Sequence, residues 1–296
     1  MPTTTIAGYL DRLGLAGDLA PTVGNLRRLH RAHVERIPYE TLDFQLGTPA
    51  GIDPQESFDR IGQFRRGGYC FQLNGAFLVL LRELGYQVGM HRVGVQKVDE
   101  AEPVGVNGNH MALTVGGLPT PQSPDGRWLV DVGLGFAFHE PLPLRPGLTE
   151  QGPFGYRLSE SSCEPGGWRL DHRPLRGFAG ADISVRPARA EDFADQHAHL
   201  STSPESDFVR LARVQRRDAL GTDLLLGRVL TRIDAAGDQR RELTGPDEWF
   251  EVLRTRFGLP LDELGAAGRE RLWAVVCDGH EAWLRQGAAL PGARRG

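Results

Sequence analysis

Lysine is almost missing from this chain of 296 residues: Lys97 is the only one, so 33 of the 34 basic residues are arginine. The arginines are scattered rather than clustered, and we read the imbalance as a coding bias. Against 38 acidic residues they leave a formal charge of −4, which argues against a general nucleic-acid binder. Cysteine is scarce too. Cys70, Cys163 and Cys277 are an odd, sparse set, a poor disulfide framework that fits a reducing, cytoplasmic compartment. They show no CxxC spacing and no nearby His–Cys set, so no zinc site or other metal is expected. No apolar run approaches the ~18–20 residues of a membrane span. Met1 to Leu15 includes Asp11 and Arg12 and has no apolar core, so no signal peptide is expected there. What is present is ordinary for a globular protein, with 40% hydrophobic and 24% charged residues. The length suits one large or two to three small folding units.

The first third reads as helical. Thr22 is a candidate N-cap for a helix bearing Leu26, Leu29, His33 and Ile37 and stopped by Pro38. A second helical stretch holds Phe58, Ile61 and Phe64. A third opens near Cys70, with Leu73, Phe77, Leu80, Leu81 and Leu84 along one face and Gly85 as its C-terminal cap. From Tyr86 the period becomes two. Tyr86, Val88, Met90, Val93 and Val95 alternate, as do Met111, Leu113 and Val115, and Trp128–Val132 follows. Further short strands are expected at Tyr156–Leu158, Trp168–Leu170, Val209–Gln215 and Leu224–Leu230. The pattern predicts an antiparallel sheet or small barrel from about 90 to 235. The C-terminal part turns helical around Trp249–Phe257 and Leu272–Val276, and the tail Pro291–Gly296 reads as disordered.

Cys70 is the informative residue. It follows Arg66-Gly67-Gly68-Tyr69 and opens the best-patterned helix, where the macrodipole and unpaired amides favour a thiolate. The double glycine predicts a sharp turn that leaves room for a substrate near the sulfur. A lone cysteine is as readily a buried structural residue. Two further residues change the balance. His110 precedes the Met111–Val115 strand, and Asp131 ends the Trp128–Val130 strand. A thiol nucleophile needs a base, and the base needs a group to orient it. The order Cys70, His110, Asp131 is that of papain-like triads, which geometry must finally decide. His30, His33, His91, His139, His172, His197, His199 and His280 show no such context. His197 and His199 have metal-binding spacing but read as a surface loop.

Five motifs together resemble one family. Arg66-Gly67-Gly68-Tyr69-Cys70-Phe71-Gln72-Leu73-Asn74 is similar to the active-site motif RGG-x-C-x-E-x-N of the arylamine N-acetyltransferases. Arg36-Ile37-Pro38-Tyr39-Glu40-Thr41-Leu42-Asp43 resembles their IPFENLD, and Asn109-His110-Met111 their (T/N)H strand start. Asp131-Val132-Gly133-Leu134-Gly135 resembles DVGFG, and Ser201-Thr202-Ser203-Pro204-Glu205-Ser206-Asp207-Phe208 the later ST-x-P-x-S-x-F. They run in family order across residues of about 8 to 210.

The resemblance implies an α+β fold: an N-terminal helical bundle (1–90) carrying the nucleophile, a central antiparallel β-barrel (91–210) carrying His110 and Asp131, and a C-terminal α/β lid (211–296). It implies ping-pong transfer of an acetyl group from acetyl-CoA through a Cys70 thioester to an arylamine or hydrazine. His110 would pair with Cys70 and move protons, Asp131 would orient it, and backbone amides at Cys70 would hold the oxyanion. If Cys70 and His110 form an ion pair, the thiolate persists well below the free-thiol value of about 8.5. Tyr39, Tyr69, Leu134 and Phe208 correspond to substrate-pocket positions, though Tyr39 and Phe208 read equally as core aromatics. Gly133 and Gly135 would permit close approach of CoA, a weak signal alone. Gln72 replaces the family glutamate, Thr41 the asparagine of IPFENLD, and Leu134 the aromatic of DVGFG. The first alters the polar network beside the triad, and the last implies a more open acceptor pocket. Two alternatives stay open. One is an amide synthase that takes a polyketide chain from an acyl carrier protein and releases it as a macrolactam. The other is a non-catalytic binding protein of the same fold.

Overall fold

The computed structural model describes residues 6–136 and 138–286. The expected disordered tail Pro291–Gly296 lies outside the described residues, as do residues 1–5. The chain first builds a helical layer: α1 (Ile6–Leu13), α2 (Val23–Arg36), the short β1 (Tyr39–Glu40), α3 (Leu42–Gln45), α4 (Pro54–Phe64) and α5 (Cys70–Glu83). Each main helix starts on a recognisable cap. Thr22 Oγ1 accepts the Asn25 N–H at 3.1 Å at the head of α2. Asp53 accepts from Gln55 and Glu56, with Pro54 in the first turn of α4. At α5 the cap is Gln72, whose Oε1 accepts the Tyr69 N–H at 3.2 Å. Gly85, at φ +85°, ends the helix in the left-handed region that other residues avoid.

Strands β2 (Gln87–Gln96), β3 (His110–Gly116), β4 (Trp128–Val130), β5 (Leu142–Pro143), β6 (Gly147–Gln151), β7 (Phe154–Glu160), β8 (Trp168–Arg176) and β9 (Phe178–Pro187) follow. They make one antiparallel sheet in the order β5-β4-β3-β2-β9-β8-β7-β6. Its two edge strands, β5 and β6, are consecutive in the chain with only residues 144–146 between them. So short a link forces the edges together, and the sheet curls into a near-closed barrel. Val93, Ala112, Leu129, Phe154, Tyr156, Leu170 and Ile183 fill it. On β3 and β4 the alternate residues Met111, Leu113, Val115, Trp128 and Val130 face the other way, into the core that holds α5. These two strands are therefore buried on both sides, between helices and barrel.

After a 3₁₀ turn at Ala190–Phe193 come α6 (Ala194–Thr202), α7 (Asp207–Arg210), β10 (Arg213–Arg217), β11 (Gly221–Leu226), β12 (Val229–Asp234), β13 (Gly237–Glu242), α8 (Pro246–Arg256) and α9 (Gly265–Arg285). The last four strands form a second antiparallel sheet, whose other edge is β1 from the first third of the chain. Trp249, Leu253, Phe257, Leu272 and Val276 pack on it with Leu42, Val214 and Leu225. The α+β class, the helical bundle and the barrel are as expected; the C-terminal part is a sheet with helices.

Several elements differ from the sequence reading. The strands between 90 and 235 belong to two sheets, because the barrel ends at Pro187 and the polar α6 intervenes. Val209 lies in α7, capped by Ser206 Oγ on the Phe208 N–H, and β10 starts only at Arg213. Leu224–Leu230 is a hairpin, turned at Gly227 with φ +55°. β9, central in the barrel, was not expected; its alternation is blurred by Gly180 and by a buried Asp182 bound to Ser161 and Arg169. The all-polar edge strand β13 gave no period at all. Phe64 is 57% exposed, and α5 is buried on nearly every face rather than one.

One buried ion cluster ties the layers. Glu40, on β1, is bonded by Arg66 and Arg60, and Asp43 joins both arginines. Burial raises the Glu40 carboxyl, but Arg66 and Arg60 outweigh it and hold it down to about 2. Its stabilisation is present above the ordinary carboxylate range and is lost as pH falls from about 4.5 toward 2. Glu40→Gln strips charge from under two buried guanidinium groups. It should cost about 3 kcal/mol in urea unfolding at pH 7 and flatten the acid limb below pH 4.5; equal acid limbs in both proteins would refute this.

Candidate active site

The three candidate residues meet. Cys70 heads α5, His110 opens β3, and Asp131 follows β4. β3 and β4 pair with Leu113 opposite Val130. His110 and Asp131 therefore leave the same end of two adjacent strands, and α5 packs against that pair. Each of the three residues is only 3% exposed. His110 Nε2 lies 2.6 Å from Asp131 Oδ2, and the Cys70 side chain is close enough to the same ring to act on its charge. With Nε2 committed to the carboxylate, Nδ1 is the nitrogen left for sulfur. Burial alone would lower the His110 pKa. The charge and hydrogen bond of Asp131, with a contribution from Cys70, overcome it and raise the group to about 10. At neutral pH the ring is an imidazolium between a carboxylate and a sulfur.

Asp131 is itself held from three sides. Its Oδ1 accepts from Asn74 Nδ2 at 2.8 Å and from the Gly133 N–H at 2.9 Å. Asn74 also donates to Met111 O and accepts from the Val132 N–H. Asn74 sits one turn after Cys70 on α5, so one helix carries both the nucleophile and the clamp on the third residue. It was quoted in the sequence motif without a role. The signal was there: a polar residue inside the apolar run from Phe71 to Leu81. Behind it, the Asp131 N–H donates to His30 Nε2 at 3.4 Å, and His30 Nδ1 faces His139 O at 3.1 Å. These partners require a neutral His30, and burial pushes its pKa down to about 4.

The glycines before Cys70 serve close packing. A Cβ on Gly67 would sit 2.0 Å from Pro38 O, and one on Gly68 2.6 Å from Gln72 Oε1. Neither has a left-handed φ. The expected sharp turn and room for substrate are replaced by a chain pressed onto its neighbours, with Gly68 O accepting the Glu40 N–H at 2.8 Å. Gly133 is similarly closed in: a Cβ there would lie 2.7 Å from Cys70 Cα. At Gly135, with φ +76°, it would meet Gln215 Oε1 at 2.4 Å. Gln72 donates to Ala50 O and Gly51 O while capping Tyr69. A glutamate could accept from Tyr69 but has no proton for those two carbonyls.

Of the pocket candidates, Tyr39, Tyr69 and Phe208 cluster. Phe208 lies 6.2 Å from Tyr39 and 6.0 Å from Tyr69 between ring centres. Burial first, then the neighbouring Cys70 charge, raises both phenols. Leu134 is half-buried against the barrel core instead. His197 and His199 are on the helix α6, not a surface loop, and helical residues two apart point to opposite sides. His197 reaches inward, its Nδ1 2.6 Å from the Tyr69 hydroxyl.

The family model of N-acetyltransferases matches residues 22–265. The arylamine N-acetyltransferase of Mycolicibacterium smegmatis is 31% identical, over 90% of this chain and 94% of that protein. The Salmonella typhimurium arylamine N-acetyltransferase / N-hydroxyarylamine O-acetyltransferase is 34% identical, over 93% and 95%. Among solved structures, the arylamine N-acetyltransferase of Mycobacterium marinum in complex with CoA superposes with a TM-score of 0.81 at 28% identity, covering 92% of this chain and 98% of that one.

Two measurements test the site. An NMR titration should find His110 still protonated at pH 8, and Asp131→Asn should move its titration down by several pH units, because burial is then opposed only by Cys70. The imidazolium's contribution to stability is complete below its ordinary 6.5 and is lost as pH rises through about 10; titration of wild-type His110 near 6.5 would contradict the network. Iodoacetamide provides the second. Exposure alone ranks Cys163 first, Cys277 next and the buried Cys70 last; labelling of Cys70 first at pH 7 is the expected result, and labelling in exposure order would argue for an inert thiol.

Proposed function

The chain belongs to the arylamine N-acetyltransferase family, and we propose that it moves an acetyl group from acetyl-CoA, through a thioester on Cys70, to the nitrogen of an arylamine or hydrazine. One observation carries the reading: the buried His110 ring is bonded through Nε2 to Asp131 at 2.6 Å and is raised by both Asp131 and the neighbouring Cys70. A ring held so is already a cation beside sulfur, which suits a nucleophile that works as a thiolate. The CoA complex of the Mycobacterium marinum relative supports CoA as the carrier of the acyl group.

In the first half-reaction the Cys70 sulfur attacks the thioester carbonyl carbon. The oxyanion meets amides of the first turn of α5, which have no intrahelical acceptor. The C–S bond to CoA breaks, and the departing thiolate takes the proton from His110. In the second half-reaction the amine nitrogen attacks the acetyl-cysteine, neutral His110 takes the amine proton, and the Cys70 sulfur leaves to restore the ion pair. Asp131 keeps the ring oriented and stabilises each imidazolium state. Tyr39, Tyr69 and Phe208 supply the aromatic wall for the amine.

Intact-mass spectrometry after incubation with acetyl-CoA should show one added acetyl group, mapped to Cys70, which an arylamine then removes. Cys70→Ala should take up none and lose at least about 10³-fold in transfer rate, the scale on which removing a nucleophile acts. Acylation by a carrier-bound chain alone, with none from acetyl-CoA, would move the protein to the amide-synthase reading.

A further inference from the structure

His30 takes no part in the proton transfers, yet its ring joins the two ends of the stretch that carries Asp131. It sits on α2 and is wholly buried. Its Nε2 accepts the Asp131 N–H at 3.4 Å, and its Nδ1 donates to the carbonyl of His139, eight residues further on, at 3.1 Å. Only a neutral imidazole protonated on Nδ1 serves both partners. Burial keeps the ring neutral, against the charge of Asp131 and with that of His139. Its orientation is set by packing: Phe138 stacks on it at 5.5 Å, and Phe77 of α5 meets it nearly at right angles at 6.1 Å. His139 is anchored in turn. Gln151 Oε1 accepts its N–H at 2.6 Å, and its Nε2 lies 2.6 Å from Glu35 Oε1, also on α2. The far end of the stretch is thus a fixed post, and His30 passes its position on to Asp131.

We propose that His30 is a positioning residue for the triad: bonded to the amide of Asp131 and to the carbonyl of His139, its ring staples the connection from β4 to β5 and sets the direction in which Asp131 presents its carboxylate to His110. Asn74, the Gly133 amide and His110 hold the carboxylate oxygens; His30 holds the peptide behind them. Gly133 lies on the same connection, so a swing of that peptide displaces both the carboxylate and an amide that binds it. The hold of Asp131 on the His110 proton then weakens. A residue that only filled space at position 30 would support the fold without acting on the imidazolium. The proposal rests on the triad reading above and adds to it a residue that touches neither sulfur nor substrate.

The experiment compares wild type, His30→Leu and His30→Gln, each checked for native fold by circular dichroism. The readouts are the NMR titration of His110 and the rate of Cys70 acetylation by acetyl-CoA at pH 7. His30→Leu keeps apolar bulk but bonds neither partner. Its His110 should titrate at least about one pH unit below wild type, and acetylation should slow about tenfold, the scale of one hydrogen bond lost from a buried group. His30→Gln, whose amide offers one acceptor and one donor, should stay within about twofold of the wild-type rate and keep the wild-type titration. In wild type, nitrogen-15 NMR should show His30 protonated on Nδ1 and bare at Nε2, with the Asp131 amide protected from hydrogen exchange. An unshifted His110 in folded His30→Leu, equal losses in the two variants, or a wild-type His30 protonated on Nε2 would each overturn the proposal, and the last requires no variant to fold. A wild-type protein with the expected His30 tautomer and a high His110 titration that takes no acetyl group from acetyl-CoA would overturn the acetyl-transfer reading instead, with the staple intact.

Discussion

The carboxylate of Asp131 is buried to 3% exposure, and a charge so placed survives only if its oxygens are fully engaged. Its partners come from three different elements: Asn74 from the catalytic helix, the Gly133 amide from the turn after β4, and His110 from the start of β3. No two of these can shift without stripping the carboxylate. The position of His110 beside Cys70 is thus a consequence of solvating one anion with protein. Gly133 is part of the same constraint, because any side chain there would run into the Cys70 backbone.

A second buried charge, Glu40, does for the loop before Cys70 what Asp131 does for the histidine. Arg66 is held by Glu40 and Asp43, so the residues between the arginine and the nucleophile have little freedom. Gly67 and Gly68 let that segment lie against Pro38 and Gln72. The strand carrying Glu40 is also the edge of the C-terminal sheet. The helical layer, the nucleophile loop and the last third of the chain are in this way locked through one ion cluster, and the barrel is locked to them through Asn74 and Asp131.

Where the chain departs from its family pattern, the departures are supported locally. Gln72 supplies two protons to the carbonyls of Ala50 and Gly51 that a carboxylate could not, so the helix cap and the neighbouring loop are joined by one neutral side chain. The Tyr39, Tyr69 and Phe208 cluster carries one phenol–imidazole bond, from Tyr69 to His197. Both features lie beside the triad and outside it. They bear on how the start of the helix and its aromatic neighbours are held.

The amino-acid sequence by itself determined the catalytic helix, the β3 and β4 strands, and the identity of Cys70, His110 and Asp131. These signals are local or carried by short motifs: a helix cap, a period of 3.6 or 2, a polar residue at an element end. It was silent on β9 and β13, where a buried Asp182 or an all-polar edge erases the period, and on α6, whose polar sequence hid a residue that reaches Tyr69. Only the tertiary structure decided that Asn74 clamps Asp131, that Glu40 neutralises Arg66, that the double glycine serves packing rather than a turn, and that residues 213–242 pair with β1 instead of closing the barrel. The physical reason is the same in each case. A buried polar group must find partners wherever the fold brings them, and those partners lie tens to more than a hundred residues away, beyond the reach of any local pattern.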